Sequence, residues 1–146
     1  MGSDHAGFDL KEEIKSFLEE RGEIVEDLGT ESRESVDYPD YGRRVAETVS
    51  TGEAPLGILI CATGIGMSIV ANKFPGVRGA LVGDLYSARM AREHTDANLL
   101  ILGARVVQPE LARELVQTWL EAEFQGERHQ RRIDKIAELE KENGAS

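Results

Sequence analysis

The sequence predicts an α/β protein whose parallel sheet is covered by helices on both faces. Short runs rich in Ile, Leu and Val alternate with longer stretches in which apolar residues recur at the helical spacing. Each short run is closed by glycine or by a small polar turn, which is typical of a strand that leads into a helix. Because strands that alternate with helices lie parallel, the helices cross both faces of the sheet.

Strands are expected at 24–28, 56–61, 79–83 and 99–103. The helices between them are indicated by apolar residues on one face: Leu10, Ile14, Phe17 and Leu18 in the first, Val45, Ala46 and Val49 after Pro39 in the second, residues 86–94 in a shorter one, and Leu111, Leu115, Val116 and Trp119 after Pro109 in another. Residues 129–143 read as a charged amphipathic helix that packs against something.

The opening of the chain departs from this pattern. Residues 2–7, Gly-Ser-Asp-His-Ala-Gly, have the composition of a strand-to-helix turn, yet only Met1 precedes them. We therefore expect the first strand of the sheet to be missing, either through a misplaced start or through trimming, and the sheet to carry a gap there.

The length, net charge and cysteine count of the chain exclude several classes of function. A chain of 146 residues forms one domain, 1–146, without needing a disulfide or metal for its core. The formal net charge of −10 disfavours nucleic acid and anionic membranes as partners. The single cysteine and the absence of a secretory signal or a spanning apolar stretch make the cytoplasm the expected compartment.

The only cysteine, Cys61, stands where an apolar strand ends and the glycine loop Gly64-Ile65-Gly66 opens onto a helix. A thiol near the amino end of a helix is favoured as its anion, and backbone N–H groups of such a loop can bind a second negative charge. The alternatives are a buried, inert cysteine and a tight turn or nucleotide-phosphate loop. The dinucleotide fingerprint lacks its third glycine.

Other polar residues also follow the expected strands or turns. Asp4 and His5 lie in the opening turn, and Asp84 and Arg105 closely follow later strands, while Arg128 and Arg132 lie near the start of the last helix. Parallel α/β sheets bind ligands beyond the carboxyl ends of their strands. We therefore expect these residues to share one cleft.

Several motifs, in order and spacing, resemble the ribose-5-phosphate isomerase B type of the ribose/galactose sugar-phosphate isomerase family: residues 2–7, Asp37-Tyr38-Pro39, Cys61 to Gly66, Ala71-Asn72-Lys73, Tyr86-Ser87-Ala88, Arg92-Glu93-His94 and Arg128-His129-Gln130. The resemblance implies a Rossmann-like α/β/α sandwich with five parallel strands. It also implies a homodimer or homotetramer with sites across the subunit interface, where the helix at 129–143 would pack. No metal or organic cofactor is expected, because the sequence has no close set of His, Cys and acidic ligands.

The resemblance assigns roles to four catalytic residues. Cys61 is the base that moves a proton between two carbons, and Thr63 assists at the oxygens. His94 and Asp4 open the sugar ring, which suits an imidazole with a reference pKa of about 6.5. Without the resemblance, His94 could be a helix-end cap and Asp4 an N-cap.

The remaining expected site residues bind substrate. The loop residues would surround the developing enediolate, four cationic residues would hold the phosphate, and Tyr38, whose alternative role is helix-entry packing, would contact the sugar. These residues are Ala62, Gly64, Ile65, Gly66, Met67 and Ser68 in the loop, and His5, Arg105, Arg128 and Arg132 at the phosphate.

Two positions depart from the family pattern. Ala62 replaces a common glycine, and Thr95 replaces an asparagine that bonds the sugar. Met67 occupies a position that carries an acidic base in another branch, so Cys61 is the candidate base. The expected reaction is ribose 5-phosphate to ribulose 5-phosphate. The alternatives are a hexose-6-phosphate isomerase, acting on allose or galactose 6-phosphate, and a catalytically weak sugar-phosphate-binding module.

Overall fold

A computed structural model describes residues 1–144. In this part of the chain four parallel strands form one sheet in the order β1-β2-β4-β3, where β1 is Gly2–Ser3, β2 is Gly57–Cys61, β3 is Gly79–Leu81 and β4 is Leu99–Gly103. The helices are α1 Phe8–Glu20, α2 Tyr38–Ser50, α3 Ile65–Ala71, α4 Leu85–Glu93, α5 Pro109–Glu121 and α6 Arg128–Gly144.

The two faces of the sheet are covered by different helices. Along β2, Ile58 and Ile60 enter a core shared with α1, α4 and α5, whereas Leu59 and Cys61 enter a core shared with α2 and α3. β4 alternates in the same way because successive side chains of a strand point to opposite faces. The predicted α/β architecture with helices on both faces is therefore confirmed.

The first strand corrects two expectations. It is not wholly missing, because Gly2 and Ser3 pair with Leu59 and Ile60 of β2. The segment 24–28 is not a regular strand, although the Met1 amine donates to the Glu26 carbonyl at 2.7 Å and the Leu28 N–H donates to the Met1 carbonyl at 2.9 Å. A two-residue β1 offers this segment too few partners for a regular ladder.

A groove continues the line of β1 at the amino end of the sheet. There Gly57 and Ile58 pair with β4 on one side but have no paired residue in β1 on the other. The groove has a volume of about 560 Å³, and its apolar lining comes from both helical layers and includes Leu18, Val45, Val49, Leu56 and Trp119.

Helix α6 matches the predicted amphipathic helix and lies along the amino edge of the sheet. His129 stacks on His94 at its beginning, and near its end the Glu140 carboxylate accepts a bond from the Gly76 N–H at 2.9 Å. Ile136 and Leu139 remain exposed. Within residues 1–144, no helix has both the length and the apolar character required to cross a membrane.

Candidate active site

Cys61 ends β2, and the turn after it is built against the end of β4. The Ala104 N–H donates to the Cys61 carbonyl at 2.8 Å, and the Arg105 N–H donates to the Ala62 carbonyl at 2.9 Å. Gly64 has a φ of +82°, which an L side chain rarely adopts, and a Cβ there would also contact Leu81. The glycine therefore lets the turn close directly onto β4 before α3 begins.

The Cys61 side chain is largely covered, with a relative exposure of 5%, and it packs with aliphatic residues of α2 and α3. Met67 is fully buried in the same core, whereas Thr63 is exposed beside them. The Thr63 hydroxyl accepts a bond from the Ile65 N–H at 3.2 Å. Only the backbone of Met67 is thus free to take part in the expected anion-binding loop.

Asp4 and His5 lie next to Cys61, at the carboxyl end of β1. The Asp4 N–H donates to the Ile60 carbonyl at 3.3 Å, and the buried Asp4 carboxylate accepts the Gly7 N–H at 3.0 Å. The His5 Nδ1 accepts the Val36 N–H at 3.1 Å. This bond places the proton of a neutral His5 on Nε2, which is left to donate to a ligand.

Tyr38 and Arg105 complete this edge of the sheet. Tyr38 begins α2, and its ring lies against the glycine loop so closely that a Cβ on Gly66 would stand 2.6 Å from Tyr38 Cε2. Arg105 is exposed just beyond β4. The structure therefore groups one set of predicted site residues at the carboxyl ends of the strands: Asp4, His5, Tyr38, residues 61–68 and Arg105.

The opposite end of the sheet, where the strands begin, carries His94, Thr95, Arg128 and Arg132. Helix α4 runs back from the carboxyl end of β3, and the chain then enters β4 through Asn98, whose carbonyl accepts the N–H of Gly57 at the start of β2. Strands of five residues separate the two edges by about 17 Å. Within one chain His94, Arg128 and Arg132 therefore lie apart from Cys61, because α4 runs back along the sheet from the carboxyl end of β3. The expected shared cleft stays a prediction that one chain alone does not form.

The second edge has its own geometry. The His94 and His129 rings stack with centroids 4.0 Å apart and an interplanar angle of 14°. Burial, helped by the charges of His94, Arg128 and Arg132, lowers the pKa of His129. The Thr95 hydroxyl donates to the Ala91 carbonyl at 2.6 Å, so its one proton is already used within the chain.

The sequence motif Arg128-His129-Gln130 contains His129 but predicts no role for it, because burial and stacking are tertiary properties. Asn72 was likewise only part of a motif; its amide joins α3 to β3 through bonds to the Ser68 and Gly79 carbonyls and from the Gly79 N–H. Within the described part of the chain, no group of three or more His, Cys, Asp or Glu side chains is placed to hold a metal ion.

A parallel α/β sheet with a thiol, an imidazole and a carboxylate at the carboxyl ends of its strands is typical of the α/β proteins that bind a small molecule there. The ribose/galactose isomerase family profile matches residues 1–136, and the chain belongs to this family.

Individual relatives agree with this assignment. Escherichia coli ribose-5-phosphate isomerase B is 50% identical, covering 96% of this chain and 94% of the relative. The Clostridium thermocellum ribose-5-phosphate isomerase B structure is 58% identical with a TM-score of 0.95, covering 97% of this chain and 95% of that one. A Mycoplasma genitalium structure with bound ribulose-5-phosphate is 44% identical with a TM-score of 0.93, covering 97% and 95%.

Proposed function

We propose that this chain interconverts ribose 5-phosphate and ribulose 5-phosphate through an enediolate, with Cys61 as the base. The observation that carries the proposal is the grouping of Cys61, Asp4 and His5 at one edge of the sheet in a chain half identical to a ribose-5-phosphate isomerase B. We propose that the reaction, which moves protons within one molecule, proceeds without a metal or an organic cofactor.

The proposed proton transfers balance within the substrate. In the open-chain aldose, the Cys61 thiolate removes the proton from C2 and returns it to C1, while a proton passes from the C2 hydroxyl to the C1 oxygen. Thr63, exposed beside the thiol, assists this second transfer. Backbone N–H groups of the loop at 64–68 stabilise the enediolate oxygen between the two steps.

A second copy of the chain completes the proposed site. His94 opens the sugar ring together with Asp4, and Arg128 and Arg132 bind the phosphate with His5 and Arg105, yet these residues occupy opposite edges of one chain. Only a neighbouring subunit can bring α6 and the end of α4 to Cys61. We therefore propose a homo-oligomer with composite sites, in which the residues at 129–143 pack at the interface.

An exposed apolar patch beside the glycine loop supports this assembly. Its members lie on α3, at the end of β3 and at the start of α4, and β3 is an edge strand of the described sheet. They are Ile65, Ile69, Leu81, Leu85 and Tyr86. Large apolar side chains exposed together on neighbouring elements are typical of sites of protein association.

The activity test compares the wild type with Cys61→Ala and Cys61→Ser, using ribose 5-phosphate. Both variants should lose turnover by about 100-fold or more, because neither supplies a thiolate base, while affinity for the substrate phosphate stays nearly unchanged. Cys61→Ser is the volume-matched control for packing. Full turnover by either variant would exclude Cys61 as the base.

The composite site is tested by mixing two inactive proteins, Cys61→Ala and His94→Asn, under conditions that exchange subunits. In a mixed dimer one site carries both wild-type residues, so an equimolar mixture should recover about a quarter of wild-type turnover. Each variant incubated alone is the control. A mixture no more active than its components contradicts the shared site.

We also propose the cytoplasm as the compartment. The single thiol of a base must stay reduced to function, and the sugar phosphate it acts on is an intracellular metabolite class. Fractionation of cells with an antibody against the chain measures this, and recovery from a secreted or membrane fraction would contradict it.

A further inference from the structure

His129 is a buried aromatic group that the mechanism above does not use. It lies in the first turn of α6, has a relative exposure of 5%, and its ring stacks on that of His94 with centroids 4.0 Å apart. Its Nε2 atom has no hydrogen-bond partner within residues 1–144. A buried Nε2 atom without a hydrogen-bond partner costs free energy, so the burial of this ring calls for an explanation.

We propose that His129 is a positioning residue for His94, whose ring it holds by stacking so that His94 can open the sugar ring in the neighbouring subunit's site. The inference rests on the proposed function, because it takes His94 as the ring-opening group. His129 itself touches no reacting atom; it acts through His94.

The backbone around both rings is already fixed by other contacts. The Arg78 guanidinium donates to the Thr95 and Asp96 carbonyls at 3.1 and 2.9 Å, which holds the turn after His94. The Gln125 N–H donates to the Glu93 carbonyl at 3.0 Å, which ties the approach to α6 to the end of α4. Because the backbone on both sides is anchored, the His94 ring can move mainly through its side-chain torsions. Stacking on His129 restricts these torsions.

The charge of the stack suits this role. His94 has to accept and release a proton, so its neighbour must tolerate both forms. Burial lowers the pKa of His129, and so do the charges of His94, Arg128 and Arg132. The charge of Glu127 raises it. A neutral His129 ring offers its π face to a protonated His94, whereas a second cation at 4.0 Å would repel it.

The test compares His129→Phe, which keeps an aromatic ring for stacking, with His129→Leu, which fills the space without one. Ribose 5-phosphate turnover measures ring opening and proton transfer together. Ribulose 5-phosphate has no free hydroxyl with which to close a five-membered ring, so exchange of its C1 hydrogen with deuterium from solvent measures proton transfer alone.

His129→Leu should lower kcat/KM for ribose 5-phosphate by about 10- to 100-fold, because a loosely held group loses its orientation, and should leave the exchange rate near that of wild type. His129→Phe should retain most of both rates. Equal loss of both rates in His129→Leu, wild-type kcat/KM in that variant, or loss in His129→Phe as large as in His129→Leu would overturn the proposal. Failure of the proposed function would show separately, as wild-type protein without ribose 5-phosphate turnover.

Discussion

At the scale of single residues, the turn after Cys61 depends on backbone contacts that leave no room for a side chain. A Cβ on Gly103, the last residue of β4, would stand 2.5 Å from the Thr63 carbonyl oxygen and 2.7 Å from its carbon. Because both atoms belong to the backbone, the turn itself would have to move. The position of Thr63, and with it the proposed proton transfer, therefore depends on a glycine at position 103 of β4.

Gly103→Ala should destabilise the fold by about 1–3 kcal/mol through overpacking and should lower turnover of ribose 5-phosphate as well. Gly83→Ala is the matched control, because a Cβ there meets nothing within 4 Å. Denaturant unfolding and steady-state kinetics measure the two effects. If both variants behave like wild type, the turn is not as tightly packed as the geometry indicates.

A second residue-scale feature is the buried Lys11, which is 0% exposed. Its Nζ pairs with the Asp27 carboxylate at 2.6 Å and with Glu12 at 2.9 Å, so the buried charge is compensated. Burial alone would raise the pKa of Asp27, but hydrogen bonds from Lys11 and the Gly29 N–H, together with the charges of Lys11 and Lys15, lower it on balance.

An Asp with a lowered pKa in the folded state contributes stability above its unfolded value of 3.8, and this contribution is lost as the pH falls through the folded pKa. Asp27→Asn should therefore lower the Tm at pH 7, and the difference from wild type should shrink as the pH falls below 3.8 and through the lowered pKa of the folded state. Asp9→Asn, which breaks an exposed pair with Arg33, is the control and should change little. A pH-independent difference for Asp27→Asn would contradict the assignment.

At the scale of elements, the pairing between β1 and β2 is limited by the length of β1, which has two residues. The pairing of Gly2 with Leu59 sets the register, so a residue placed before Met1 would lie opposite Gly57, inside the groove at the amino edge. A Cβ on Gly2 would meet Val45 of α2, and side chains alternate along a strand. The first added residue therefore faces α2, and the next faces Leu18 and Trp119.

Adding four apolar residues to Met1 should extend β1 and bury them against both helical layers. Even partial burial is worth about 2 kcal/mol or more, which corresponds to an increase in Tm of about 4–8 °C. The control extension carries Asp at the first added position, where it would face Val45. Thermal unfolding distinguishes the two, and equal Tm values would show that the groove does not accept a strand.

At the scale of the whole molecule, each proposed site takes its residues from two chains. The parallel topology places Cys61 at one end of the strands and His94 at the other. The proposed site therefore predicts that turnover depends on assembly. The apolar patch on α3, β3 and α4 lies at the edge that carries Cys61 and presents Ile69 with 59% of its surface exposed. Assembly and turnover should therefore be lost together.

Ile69→Glu should weaken the assembly and lower turnover to the same degree at micromolar protein concentration, because a charge buried in an apolar interface is costly. Ile24→Glu is the control, since Ile24 is fully exposed at the groove and not on the patch. Sedimentation velocity and activity measured across a dilution series report the two properties. Full turnover by a monomeric Ile69→Glu protein would exclude the composite site.

Much of the sheet could be predicted from local pattern. The runs at 56–61 and 99–103 became β2 and β4 with minor trimming, because their continuous apolar character suits strands buried on both faces. The run at 24–28, Ile-Val-Glu-Asp-Leu, carries two acidic residues and did not form a regular strand. The two-residue β1 beside it also offers few residues with which it could pair.

The sequence by itself determined the α/β class and the strands that carry Cys61 and its glycine turn, because periodicity is local. The acid, base and cationic residues of the proposed chemistry are implied by the resemblance to the isomerase family and stay a prediction. The tertiary structure decided that His94, Arg128 and Arg132 lie across the sheet from Cys61 and that His129 stacks on His94. Ring stacking and side-chain burial are long-range properties, which no spacing along the chain reveals.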